Sequence, residues 1–190
     1  VIVISVIVAS LPLATGPLVA AAFVLAVAGA AKLRRPAPTG LALARAGLPG
    51  SDPIVRALGA AEVVVAAGTI ALGGPWAAPL ALLYVSFAAF TTLQVVSARR
   101  TGEVADCGCF GERSAPVGAT HVAANLALVA IGLWALVAPT AGVAASLDAS
   151  LGATVGVVAL GLLAAAAIRA LLTDLPALTA AQVTPARGTS

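Results

Sequence analysis

The residues of this chain best suited to chemistry lie in one short stretch, Asp106-Cys107-Gly108-Cys109-Phe110-Gly111, which holds its only two cysteines. Two thiols separated by one Gly approach each other only through a tight turn, which Gly permits. The small ring that a disulfide closes there is strained, and strained disulfides are the readily reduced, reactive ones. Arg99, Arg100 and Arg113 flank the pair, and a long apolar segment starts just beyond it. Positive charge and a helix N-terminus both favour thiolate, whereas Asp106 and Glu112 raise the cost of forming it. His121, one turn into the apolar segment, is a candidate modulator. Two other readings use the same residues. The thiols could be unrelated and inert. They could also join His121 around a metal, but that gives three ligands where structural zinc takes four. Asp106 or a second subunit would have to complete the shell, and no metal site is assigned.

A second group with chemical potential is Glu62, the one acidic residue well inside an apolar segment. A charged carboxylate there is costly, so Glu62 should face other helices, pair with a cation or hold a proton. Lys32 and Arg56 are the candidate cations, and Glu62 is a candidate intramembrane acid. The plainer alternative is a Glu that reaches out to water from near a helix end. Gln94, Thr91, Thr92 and Asn125 also sit in apolar segments, where hydrogen bonds between helices are the expected use.

The elements that position these groups follow from composition. Of 190 residues, 61% are apolar and 9% charged, and mean hydropathy is +1.11. A soluble domain carries roughly 25% charged residues, so this chain has too little polar surface to cover itself in water. The basic residues fall beside apolar segments and do not form a nucleic-acid footprint. A membrane crossing takes about 20 apolar residues, and the sequence contains five such segments. The first lies within Val1–Ala31, with Pro12 or Pro17 marking a kink or its true start. The others run over about 54–72, 76–97, 117–137 and 151–172. The first lacks the basic start and the short apolar run, about 7–15 residues, of a signal peptide, so a retained span is expected. The predicted fold is an all-α integral membrane bundle.

With five spans, all ten basic residues fall on one side, and the opposite loops, 73–75 and 139–150, have none. Basic loops stay cytoplasmic. The expected topology has the N-terminus outside and the C-terminus inside, in a bacterial plasma membrane. Trp76 and Trp134 fall toward the uncharged side, as interfacial anchors do. Ala and Gly in the spans suit close helix packing.

Cys107-Gly108-Cys109-Phe110-Gly111, ahead of a span containing Asn125-Leu126, resembles the methylamine utilisation MauE family, membrane proteins related in fold to DoxX. Lys32-Leu33-Arg34-Arg35-Pro36 closing the first span and Glu62 in the second fit as well. The chain departs at Ala124, where an Arg usually precedes the Asn of the family. The resemblance covers about residues 15–138. It implies a four-helix DoxX-like membrane domain over 1–138; the additional helix with its preceding loop over 139–173 lies outside the resemblance, and composition makes the tail over 174–190 polar and disordered. The resemblance also implies a membrane accessory for thiol–disulfide chemistry or for folding of an exported protein.

On that reading Cys107 and Cys109 are a redox pair working with a thioredoxin-fold protein or an exported redox-enzyme subunit. A single pair stores two electrons at one place. A relay across the bilayer would need a quinone, a partner with its own thiols, or movement of the loop. A cytoplasmic pair would more readily receive reductant than hold a structural bridge. The main competitor is a non-catalytic assembly helper with structural cysteines. A small transporter is weaker, because the spans offer few polar groups to line a path and no inverted repeat.

Overall fold

A computed structural model of the chain describes residues 13–102, 117–149 and 151–183. The first span, α1 (Thr15–Arg34), places Pro17 in its opening turn. A missing N–H costs little there, so Pro17 marks the start of this helix. Residues 1–12, Pro12 included, lie outside the described residues. Pro36 then begins a short helix, α2 (Ala37–Arg45), too short to cross a bilayer. The second span, α3 (Asp52–Leu72), has Asp52 and Pro53 in its first turn, both favourable at a helix start. It ends at Gly73 with φ 71°, a conformation that Gly adopts without strain. A single 3-10 turn, Gly74–Trp76, leads into α4 (Ala77–Thr101). Arg99 and Arg100 lie in the last turn of α4, where they complement the helix dipole, and Gly102 caps it at φ 72°.

After residues 103–116, which are not described, come α5 (Ala119–Val137), the short α6 (Val143–Ala149) and α7 (Leu151–Val183). Helix α7 continues through Val183, past Asp174, where the polar tail was expected to begin. Ala177, Leu178, Ala180 and Ala181 in this stretch are strong helix formers. Residues 184–190 lie outside the described residues.

Consecutive spans run antiparallel, and both ends of the bundle are stitched. At one end Arg56 Nη1 donates to the Leu33 carbonyl (3.0 Å) and Gln94 Nε2 to the Ala42 carbonyl (3.5 Å). At the other, the Ala141 N–H donates to Thr15 Oγ1 (3.2 Å), and Gly73 forms an antiparallel bridge with Ala141. The most buried span is α1, which packs against α3, α5 and α7, while α4 packs chiefly on α5. Leu18, Leu25, Leu80, Tyr84 and Leu128 form the core. Leu82, Leu93, Leu133 and Leu163 point outward and exposed. Outer faces as apolar as the core are what a hydrocarbon solvent requires. Among the described residues, five helices are long and apolar enough to cross it. The chain is therefore a multi-pass, all-α integral membrane protein.

Candidate functional site

The site begins where α1 crosses α3. Gly29 and Gly59 face each other there. A Cβ on Gly29 would stand 2.7 Å from the Gly59 carbonyl oxygen, and one on Gly59 would stand 2.8 Å from the Gly29 carbonyl oxygen. Two small residues thus let the backbones come close. Each glycine also faces the charged residue of the opposite helix. The same added atoms would meet Glu62 Cβ at 2.9 Å and Lys32 Cβ at 3.0 Å. Side chains lean toward the N-terminus of their own helix, so Lys32 leans back along α1 toward Glu62. Its Nζ donates to Glu62 Oε2 at 2.8 Å, with the two side chains 3% and 0% exposed. Glu62 Oε1 is buried and has no hydrogen-bond partner among the described residues.

Helix α4 supplies the aromatic wall. The Phe87 ring lies under the Lys32 ammonium, 5.2 Å from Nζ to the ring centre. This cation–π contact suits a desolvated lysine. Tyr84 meets Phe87 edge to face, with ring centres 5.9 Å apart. Its hydroxyl donates to the Ala21 carbonyl at 2.7 Å. Helix α5 contributes His121 and Asn125. Asn125 Nδ2 donates to Thr91 Oγ1 (3.3 Å), joining α5 to α4. His121 is buried, and its Nδ1 accepts from the Gly118 N–H at 3.4 Å. Leu172 of α7 stands beside the same space as the ring. Between these groups lies a cavity of about 40 Å³, bounded by Ala28, Lys32, Tyr84, His121, Asn125 and Leu172 among others.

Sequence-predicted residues fare differently. Glu62 is inside the bundle and paired with Lys32, one of the two cations available to it, whereas Arg56 bonds the backbone of α1. Lys32 balances Glu62 without a further cation at position 124, where Ala124 stands. His121 shares the cavity with Lys32. Gln94, Thr91 and Asn125 make hydrogen bonds between helices, whereas the hydrogen bond of Thr92 stays within its own. Its hydroxyl donates to the Ala88 carbonyl one turn back on its own helix, the usual local use of a Thr hydroxyl. Cys107 and Cys109 lie outside the described residues, with Asp106, Glu112 and Arg113. Their segment joins Gly102 to Val117, at the end of the bundle where Arg56 and Gln94 make their bonds.

Sequence reasoning missed Tyr84 and Phe87. A signal was available for the first, since Tyr84 is the only tyrosine and falls mid-span rather than at an interface. A hydroxyl at that depth must bond inside the protein. Leu172 carried no such signal.

A buried ion pair of this kind is costly to desolvate and is kept only with good geometry and further hydrogen bonds. It can hold a proton on either partner, so it can act as an intramembrane acid–base pair. Comparison with curated proteins and with solved structures gives no match. The family model of methylamine utilisation protein MauE matches residues 9–138, more than half of the chain and the whole run of α1 to α5, and the chain therefore belongs to the MauE family.

Proposed function

We propose that this protein is a membrane accessory for thiol–disulfide chemistry that serves maturation of an exported redox protein, with Cys107 and Cys109 as the exchanging pair. The observation that carries this reading is family membership: the family is described by its place in methylamine utilisation, and its match spans the Cys-Gly-Cys segment. In the exchange, a thiolate of a thioredoxin-like partner attacks one sulfur of the Cys107–Cys109 disulfide and a mixed disulfide forms. The second partner thiolate then releases both cysteines as thiols. The pair gains two electrons and two protons, and the partner gains the disulfide. Reoxidation passes the two electrons on to a quinone or to another partner's disulfide. The Lys32–Glu62 pair and His121 form the polar interior beneath the end from which the thiol segment leaves the bundle. That end faces the cytoplasm in this proposal, and the helix beyond residue 138 is an addition to the four-helix unit.

A non-catalytic helper is the second reading. The hydrogen-bonded polar groups of the interior favour it, because Tyr84, Thr91, Asn125 and Gln94 act as ties between elements. Replacing both cysteines by Ser separates the two. The thiol reading requires loss of maturation of the exported partner with the membrane level of the chain unchanged. Full maturation by the double Ser variant contradicts it and leaves the helper.

A further inference from the structure

The interior holds polar capacity that the protein itself does not use. Glu62 Oε1 is buried without a partner among the described residues. The Lys32 ammonium carries three N–H donors and gives one to Glu62 Oε2, with a ring face as its other neighbour. Lys32 also lines the cavity, together with His121 and Asn125. A buried water needs roughly 10–15 Å³ and two to four polar partners. The cavity of about 40 Å³ thus has room for about three.

We propose that this cavity is a water site that completes the Lys32–Glu62 pair and links it to His121, forming a proton route from the buried pair toward the end of the bundle where residues 103–116 attach. The titratable groups facing it are Lys32 from α1, Tyr84 from α4 and His121 from α5; Glu62 of α3 stands behind Lys32 and reaches it only through that side chain. From α7 the wall is the apolar Leu172. A proton entering at His121 passes along the waters to the Lys32 amine as Lys32 hands its own to Glu62 across the 2.8 Å bond. Charge and proton count balance at each step, and no electron moves. Tyr84 stays out of the route, since its hydroxyl proton is committed to the Ala21 carbonyl. Helix α7 lies beyond the family match, and its Leu172 forms part of the cavity wall.

The test is hydroxyl-radical footprinting of the full chain in bilayer discs, with radicals generated by an X-ray pulse in heavy-oxygen water and read by mass spectrometry. Four leucines give a like-for-like comparison. Leu25 and Leu128 line the cavity, Leu18 and Leu80 do not, and all four are at most 3% exposed. Bound water makes radicals in place, so Leu25 and Leu128 should take up heavy oxygen at least about tenfold faster than Leu18 and Leu80, which are reached only by local opening. His121 and Tyr84 should label as well. Ala28→Leu, which fills the cavity, should bring Leu25 and Leu128 down to the rate of Leu18. Equal labelling of the four leucines in the wild-type protein overturns the proposal, whether or not the variant folds. The same result is expected with Cys107 and Cys109 both changed to Ser, so the outcome is independent of the thiol reading.

Discussion

Adding one methyl group at Gly29 or Gly59 should cost this protein stability, although Ala is the better helix former. The new Cβ at Gly29 would lie 2.7 Å from the Gly59 carbonyl oxygen and 2.9 Å from both Glu62 Cβ and Val63 Cγ2. Comfortable separations are about 3.3 Å or more for carbon to oxygen and about 3.5 Å for carbon to carbon. Relief therefore requires α1 and α3 to part by roughly half an ångström. Two of these contacts are backbone or Cβ atoms, which cannot rotate away. The same movement stretches the 2.8 Å bond between Lys32 and Glu62. Overpacking of this kind costs about 1–3 kcal/mol, and the gain of up to about 1 kcal/mol in helix propensity offsets part of it. Gly156→Ala on α7 is the internal control, because a Cβ there meets nothing within 4 Å. Unfolding of the full chain in bicelles, measured by steric trapping, should show Gly29→Ala and Gly59→Ala below wild type and Gly156→Ala at or above it. If all three variants gain stability alike, the close crossing does not position the ion pair, and the account of the site fails.

Breaking the ion pair from one side, by Lys32→Met, should destabilise the chain by about 3–5 kcal/mol in the same assay. Lys32→Met combined with Glu62→Leu should be more stable than Lys32→Met alone, as a double-mutant cycle would record. Tyr84→Phe removes the bond to the Ala21 carbonyl and should cost about 0.5–1.5 kcal/mol without altering insertion. For topology, alkaline phosphatase fused after Gly74 or Ala145 should be active, and fused after Gly40 or Ala105 inactive. Activity after Ala105 would place the thiol segment outside.

Much of this architecture was legible in the sequence because a bilayer imposes a length. Apolar runs near 20 residues marked the five spans, and each helix end fell within a few residues of a Gly, a Pro or a basic cluster. Ala and Leu carry α7 through Val183, past the point where the composition turns polar. Glu62 betrayed itself by its depth. Its partner could be narrowed to Lys32 or Arg56 but not chosen, since the choice rests on how closely α1 and α3 approach. That approach depends on Gly29 opposing Gly59, a register between helices that no single-chain pattern reveals. Tyr84, Phe87 and Leu172 meet Lys32 and His121 only through packing of α4 and α7, a long-range arrangement. Cys107 and Cys109 are the reverse case, conspicuous as a local motif and outside the described residues.

The redox state of Cys107 and Cys109 in living membranes tests the functional account most directly. Acid quenching followed by alkylation with a mass tag counts free thiols, and a Cys109→Ser variant holds any mixed disulfide formed at Cys107. The account predicts a wild-type chain divided between thiol and disulfide forms, shifting with loss of its partner, and a thioredoxin-fold protein covalently held by one of the single Ser variants. Thiols that stay fully reduced under every condition, form no mixed disulfide as single variants and are dispensable when both become Ser would contradict it.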